Sequence, residues 1–253
     1  MISSPGGLSS FLSTSNYILY LLAYLESKSP ALSKHTQTLL IFLRQSQSLK
    51  AEPTVLVAGD VGVPPIAALG GLLSRARTTL RLVGLLPLYA WLRSLLAGQK
   101  PDADPVLHRI ALLQCLSYIA YQALENVSVL ADNGVLSKRF VALINKGDPT
   151  TGRLYLWAYR AWLAGVSCDF LRLAREAVKE KEKRAGWART EEDKKADERW
   201  WNDFIVAAAW FPMAYHYSST TGIPGWNLGW MGLSGLIAGS SRIQGLWTAT
   251  LHP

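Results

Sequence analysis

The sequence lacks most of the residues and motifs from which active sites are built. Its two cysteines, Cys115 and Cys168, lie far apart in apolar surroundings, so we expect reduced core residues and no disulfide. The four histidines show no metal-ligand spacing, and neither H-E-x-x-H, C-x-x-C nor G-x-S-x-G occurs. Thr54–Gly62 lacks the G-x-G-x-x-G spacing of a dinucleotide-binding fold and precedes Pro64-Pro65. We therefore predict no catalytic, cofactor-binding or metal-binding residue, and a protein that is not an enzyme.

Charged residues are absent from a long stretch near the end of the chain. No Asp, Glu, Lys or Arg occurs from Phe204 to Ser241, which is rare in a soluble domain because its elements must show water a polar face. The part from Trp226 to Trp247 is long enough to cross a bilayer, which takes about 20 residues. Tryptophans at both ends suit the membrane interfaces. We predict a C-terminal transmembrane anchor; the alternative is a glycine-rich helix buried in a protein core.

Five glycines of this segment recur every three or four residues and therefore share one helical face. In a membrane, such a face lets another helix backbone approach closely. The predicted helix-packing face consists of Gly225, Gly229, Gly232, Gly235 and Gly239.

The composition indicates a mixture of membrane-embedded and water-facing helices. Charged residues make up 17% of the chain, against an average of about 25%, and the mean hydropathy is +0.13. The net charge of +8 suits nucleic acid or an anionic membrane. Because the aromatic residues cluster in apolar runs and are not interleaved with basic residues, we predict an anionic phospholipid membrane as partner and no nucleic acid.

A basic amphipathic helix is predicted over Leu72–Leu86, where arginines and leucines fall on opposite faces. No acidic residue occurs between Val61 and Lys100, and Pro87 is expected to kink or break the helix. Such a helix suits an anionic membrane, with its basic face among head groups and its leucines in the acyl region. The alternative is an ordinary surface helix packed on a core. The predicted membrane-binding residues are Arg75, Arg77, Arg81, Leu72, Leu73, Leu80 and Val83.

Two long helices are predicted in the middle of the chain, over Val106–Ala131 and Arg153–Arg184. The first carries one polar stripe that is expected to face a partner helix: Gln114, Tyr118, Tyr121, Glu125, Ser128 and Asp132. Glu125 and Arg160 are isolated charges in apolar helices, so we predict that they form an interhelix polar pair, with Arg109 or Arg153 as alternative partners.

The remaining segments are less distinctive. Residues 1–15 are rich in Ser and Gly and are expected to be irregular, and short helices are predicted over Asn16–Ser27 and Ala31–Leu49. Residues 179–199 carry many charges of both signs and are predicted to form a hinge before the anchor.

In their order, these segments resemble the peroxisomal biogenesis factor 11 family (peroxin-11), the peroxisome proliferation and membrane-elongation proteins. The family's arginine-and-leucine helix is similar to Leu72–Leu86, and its Asn-centred helix ending in glycine is similar to Tyr121–Leu136. The terminal block resembles FPMAYHY, GLSGLIAG and QGLW, and the resemblance covers about Ala67 to Trp247. The longer first 60 residues and Pro87 depart from the pattern and resemble a filamentous-fungal side branch.

The predicted helices and the resemblance indicate an all-α fold: a membrane-associated helical bundle with a basic amphipathic helix and a C-terminal glycine-rich transmembrane helix. Residues 1–60 would form an N-terminal extension with short helices. Residues 61–253 would form the peroxin-11-like membrane domain, with a charged hinge about 179–199 and an anchor about 204–247.

The resemblance implies a protein of the peroxisomal membrane that promotes membrane elongation, peroxisome proliferation and fission. Amphipathic-helix insertion and self-association through the glycine face would drive elongation. The implied partners are anionic phospholipid, further copies of the chain in a homo-oligomer, and the fission machinery, a dynamin-related GTPase and its adaptors. A second function stays open: a peroxisomal membrane pore for small metabolites, for which only the Gln114–Asp132 stripe offers a lining.

Overall fold

The computed structural model describes residues 5–29, 31, 33–35, 38, 65–98, 103–184 and 190–251. The helix predicted over Ala31–Leu49 lies mostly outside these residues, and Thr54–Gly62 lies wholly outside them.

The regular structure of the described residues is entirely helical, which confirms the predicted all-α class. The two long central helices lie close to where the sequence predicts them. The elements are α1 (Pro5–Lys28), α2 (Pro65–Leu80), a 3-10 helix (Arg81–Val83), α3 (Leu85–Leu96), α4 (Pro105–Asp132), α5 (Lys138–Ile144), α6 (Gly152–Lys183), α7 (Glu191–Ser218) and α8 (Leu228–Leu251).

The long helices form a closed ring in which each packs on the next one along the chain. α1 packs on α2, α2 continues through the 3-10 helix into α3, and α3 packs on α4. α4 then packs on α6, α6 on α7, α7 on α8, and α8 returns to α1. The order of the helices around the ring is therefore their order in the chain.

The contact between α8 and α1 is a backbone-to-backbone approach at the glycines of α8. A Cβ atom on Gly232 would lie 2.7 Å from the backbone nitrogen of Leu21 and 2.8 Å from the carbonyl oxygen of Tyr17. Gly235 lies directly against the Tyr17 ring. Gly225 is not part of this face, contrary to the prediction, because it lies in the turn before α8 with φ +75° and open space around it.

The first helix begins earlier than predicted. Residues 5–15 are helical and not irregular, because α1 starts at Pro5, a residue that suits the first helical position. Packing against α8 outweighs the weak helix propensity of serine and glycine in this segment. The predicted boundary at residue 60 consequently separates α1 from the helices on which it packs.

No single helix of the described residues is long and apolar enough to cross a membrane. α2 with its 3-10 helix and α3 have the length and composition of a span only when taken together, as a pair bent by 44°. The helix predicted to span over Trp226–Trp247 is not among the candidates, since its glycines, its serines, Arg242 and Gln244 lower its hydropathy.

The charged segment before α7 is a helical hairpin in its described parts. α6 extends to Lys183, and α7 starts at Glu191, where Thr190 and Asp193 form a capping box. Arg184 joins the two helices through ion pairs with Glu180 at 2.9 Å and Asp197 at 2.8 Å. The predicted hinge thus consists partly of the ends of two long helices, which ion pairs join.

We expect Gly232→Ala to destabilise the protein by about 1–3 kcal/mol, because the added methyl group must displace the backbone of α1. Gly245→Ala is the matched control in the same helix. No atom lies within 4 Å of its added Cβ, so alanine should stabilise the helix by up to about 1 kcal/mol. Thermal unfolding of the detergent-solubilised variants measures both effects. Equal melting temperatures for the two variants would contradict the close packing.

A second prediction concerns Asp104, the N-cap of α4. Its carboxylate accepts hydrogen bonds from the Val106 and Leu107 N–H groups at 2.8 and 3.3 Å and pairs with Arg175 at 2.9 Å. Burial raises the pKa of Asp104, but these hydrogen bonds and the Arg175 charge more than offset it and lower the pKa from 3.8 to about 2.

Because the folded pKa is lowered, the ionised Asp104 stabilises the fold above pH 3.8, and this contribution is lost as the pH falls through about 2. Asp104→Asn keeps a capping side chain but removes the charge. We expect it to lower the melting temperature at neutral pH and to match the wild-type protein at about pH 2. A deficit that stays constant across this range would count against the ion pair.

Candidate functional site

The predicted arginine-and-leucine helix is split into two helices at an angle of 44°. α2 ends at Leu80, one 3-10 turn follows, and α3 starts at Leu85. Pro87 lies in the first turn of α3, where no backbone N–H is required. In one continuous helix its ring would clash with the Val83 carbonyl and leave that carbonyl unbonded. The predicted break is confirmed, and it lies one turn before the proline.

The apolar side chains of this bent unit face outwards. Five of them, with exposed fractions between 42% and 71%, follow one another at three- to eight-residue steps along α2 and α3. We call them the apolar ridge: Leu69, Leu72, Leu80, Val83 and Leu86. Of the predicted membrane-binding leucines, Leu72 and Leu80 lie in the ridge, and Leu73 is half-buried.

Two of the three predicted membrane-binding arginines face inwards. Arg81 forms an ion pair with Glu125 of α4 at 2.7 Å, in which the Glu125 side chain is 5% exposed and the Arg81 side chain 34%. The Arg77 guanidinium lies 5.4 Å from the centre of the Tyr17 ring of α1. Only Arg75 keeps an exposed side chain. The basic face of α2 is therefore largely a packing face.

The predicted pair of Glu125 with Arg160 is wrong. Glu125 binds Arg81, and Arg160 instead donates from Nε to the Ser218 carbonyl at 3.2 Å, with its guanidinium 4.9 Å from the Trp157 ring centre. Each charge does join two helices, but the partners lie on different elements. A buried carboxylate requires a cation nearby, and the helix break places Arg81 within 2.7 Å of it.

Residues of α4 hold the helix break in place. Tyr121 donates a hydrogen bond to Glu125 at 2.9 Å, and burial raises the pKa of Tyr121, which keeps its hydroxyl protonated as a donor. Asn126 Nδ2 donates to the Leu82 carbonyl at 2.9 Å, and Gln122 donates to the Asn126 amide oxygen at 2.7 Å. These four residues, Tyr121, Gln122, Glu125 and Asn126, form what we call the clamp.

Gly84 completes the contact between the clamp and the helix break. A Cβ atom at this position would lie 2.8 Å from Gln122 Oε1. The backbone of the 3-10 turn can therefore approach α4 closely only because residue 84 has no side chain.

The polar stripe of α4 faces α6, as predicted. Gln114 donates to the Gly165 carbonyl at 3.1 Å, and the Tyr118 ring lies directly over Gly165. Near the end of the helix, Asp132 accepts hydrogen bonds from the hydroxyl groups of Thr151 at 2.7 Å and Tyr155 at 2.9 Å. Most of the stripe is thus used in helix packing.

A polar cavity of about 340 Å³ lies inside the ring. Its walls include residues from all the long helices except α3, among them Tyr17 of α1, Arg77 of α2, Glu125 of α4, Trp162 of α6, Trp210 of α7 and Met231 of α8. This cavity could not be predicted directly from the sequence, because its residues come together only when the ring closes. The three- and four-residue spacing of Tyr17, Tyr20 and Tyr24 was the one available sign that α1 has a specific face. In the described part of the chain, no group of three or more His, Cys, Asp or Glu side chains is placed to hold a metal ion.

The ion pair of the clamp can be tested by a double-mutant cycle. We expect Arg81→Gln and Glu125→Gln to show a coupling energy of about 1–2 kcal/mol in the free energy of unfolding, reduced from a fully buried pair because Arg81 is one-third exposed. Arg160→Gln is the matched control and should combine additively with Glu125→Gln. Coupling of Glu125 to Arg160 in place of Arg81 would overturn the assignment.

A family model, Peroxisomal biogenesis factor 11 (PEX11), matches residues 63–247, which is most of the chain. No curated protein and no solved structure matches the chain significantly. The matched region contains the bent α2–α3 unit, the clamp, the hairpin and almost all of α8, and the match confirms the resemblance drawn from the sequence. The chain belongs to the peroxisomal biogenesis factor 11 (PEX11) family, which is a family of peroxisomal membrane proteins with a role in peroxisome biogenesis and not a family of enzymes.

Proposed function

We propose that this protein elongates the peroxisomal membrane by inserting the apolar ridge into one leaflet. The observation that carries the proposal is the exposure of the ridge: five large aliphatic side chains of α2, the 3-10 helix and α3 are exposed. A contiguous exposed apolar surface indicates a membrane or protein contact. Because the protein belongs to a family of peroxisomal membrane proteins, we take this contact to be with lipid.

Insertion of the ridge has a favourable free energy comparable with that of a single myristoyl chain, which binds a membrane reversibly. Complete burial of a leucine or valine side chain is worth roughly 1.5–3 kcal/mol, and these side chains are already about half-buried, so each adds about 1 kcal/mol. Five of them supply about 5 kcal/mol. Insertion into one leaflet expands that leaflet relative to the other, and this area difference favours a curved, elongated membrane.

Surface arginines support this contact at the edges of the ridge. Arg75 and Arg93 are exposed on α2 and α3, and each is worth about 1 kcal/mol near an anionic lipid surface. Arg77 and Arg81, which face the inside of the ring, play no direct part in the proposed contact. Burial of the aliphatic side chains thus contributes more to the free energy of membrane binding than the charges of these two arginines do.

Self-association and transfer to a dynamin-related fission GTPase and its adaptors are further parts of the proposal. The glycine face of α8 is covered by α1 within the same chain, so a homo-oligomer would use another surface.

A metabolite pore is the second candidate, and the observation in its favour is the polar cavity inside the ring. The polar stripe of α4 contributes less to such a passage than the sequence suggested, because Gln114 and Ser128 are buried in helix contacts. Solute flux through liposomes that contain the purified protein separates the two functions. Flux that is abolished by filling the cavity, for example with Ser74→Trp, would favour the pore.

The elongation proposal is tested by a ridge variant, Leu72→Asn with Val83→Asn and Leu86→Asn, in cells that lack the endogenous protein. We expect short, round peroxisomes, because three apolar side chains no longer enter the leaflet. The matched control changes three exposed apolar residues outside the ridge, Val135→Asn with Leu143→Asn and Ile144→Asn, and tests elongation apart from overall surface polarity.

Peroxisome length is measured by fluorescence microscopy beside a peroxisomal marker, so that a loss of elongation is distinguished from a loss of targeting. If the ridge variant reaches peroxisomes and these are still elongated, the proposal is contradicted. Loss of elongation in the control alone would shift the active surface to the region of α5.

A further inference from the structure

We infer that the cavity inside the ring is a binding site for a small molecule that has one oxyanionic group, a carboxylate or a phosphate ester, and a flat apolar body. Three charged side chains line the cavity, two positive and one negative: Arg77, Arg81 and Glu125. Arg81 is neutralised by Glu125 at 2.7 Å, whereas Arg77 forms no ion pair within the described residues.

Arg77 is a cation in need of a counter-ion. Its Nε atom is buried and has no hydrogen-bond partner in the described structure, although the residue as a whole is half-buried. Its charge interacts with the ring of Tyr17 and with Tyr20. A charged group that loses part of its hydration without gaining a partner is disfavoured. Water molecules could satisfy its hydrogen bonds, and an anion would in addition balance its charge.

Further polar groups in the cavity lack a partner or have a weak one. Asn16, which is 2% exposed, has an amide oxygen with no hydrogen-bond donor near it among the described residues. The hydroxyl groups of Tyr17 and Tyr217 donate to the sulfur atoms of Met213 and Met231, at 4.0 and 2.9 Å, and thioether sulfur is a weak acceptor. Glu125 Oε2, which also lines the cavity, is a second buried acceptor without a hydrogen-bond partner. The site therefore offers strong donors to an oxyanion and two buried acceptors to a ligand hydroxyl or amine.

The walls of the cavity favour a flat apolar body on the same ligand. Trp210 lies at the centre of an aromatic cluster, with its ring centroid 5.9 Å from that of Tyr17 and 5.7 Å from that of Trp162. Both contacts are edge-to-face, and such aromatic walls suit a flat apolar group on a ligand. The volume of about 340 Å³ is at the lower end of the roughly 300–1,000 Å³ range of ligand pockets, which indicates a small molecule.

The direct test measures binding of benzoate to the purified full-length protein in a non-ionic detergent by isothermal titration calorimetry. Benzamide has the same shape without the charge and is the ligand control. Arg77→Gln removes the proposed anion contact, and Arg75→Gln removes an equal charge from an exposed position on the same helix. We expect benzoate to bind the wild-type protein and Arg75→Gln equally and Arg77→Gln at least tenfold more weakly, with benzamide weaker than benzoate.

A second arm separates a soluble ligand from a phospholipid head group. The melting temperatures of the wild-type protein and of Arg77→Gln are compared in phosphatidylcholine nanodiscs with and without phosphatidylglycerol. Stabilisation by phosphatidylglycerol that requires Arg77, without benzoate binding, assigns the oxyanion to a lipid. Benzoate binding that requires Arg77 assigns it to a soluble molecule.

Arg77→Lys keeps the positive charge and controls for folding. It should retain part of the binding if charge is the cause, and the circular dichroism spectra of all variants without ligand should agree. The inference is overturned if neither benzoate nor phosphatidylglycerol has an effect, if Arg77→Gln binds as well as the wild-type protein, or if benzamide binds as tightly as benzoate.

Discussion

The ion pair between Arg81 and Glu125 determines how the helix with the arginines is oriented. A carboxylate as buried as that of Glu125 must be paired, and Arg81 can reach it only if the arginine-bearing face of α2 and of the 3-10 helix turns into the ring. Helical geometry then places Leu72 and Val83 on the opposite side, facing out. The exposed apolar surface and the polar interior are thus two consequences of one contact.

Close backbone packing provides the second constraint, at two places on the ring. Gly84 allows the helix break to lie against Gln122, and Gly232 allows α8 to lie against the backbone of α1. The first contact fixes the angle between α2 and α3, and the second closes the ring. Between them lies the cavity, whose size follows from how closely these two pairs of helices approach.

The sequence was sufficient for the features that depend on local signals. The ends of α4 could be predicted because Asp104-Pro105 is a start signal and Asn133-Gly134 an end signal, and the break near Pro87 followed from the missing N–H. The partner of Glu125 was missed, since the candidates were Arg160, Arg109 and Arg153 and did not include Arg81. Only the three-dimensional position of the helix break shows that Arg81 reaches Glu125. The glycines of α8 indicated close helix packing, but their spacing suits a partner helix in a membrane as well as it suits α1. The sequence therefore did not identify the partner. The helical start at Pro5 depends on that same long-range contact, and local composition therefore pointed the wrong way.

The agreement between ring order and chain order has a consequence for how the fold is encoded. α1 and α8 run antiparallel, since Tyr24 meets Gly229 and Thr14 meets Gly239, so Pro5 lies at the same end of the ring as the last turns of α8. A peptide linker could join these two ends, and the chain could be opened in the exposed turn between α4 and α5, without the loss of any contact between neighbouring long helices. The architecture is in this sense cyclic and tolerates circular permutation, because it depends on which helices are neighbours and not on which of them comes first.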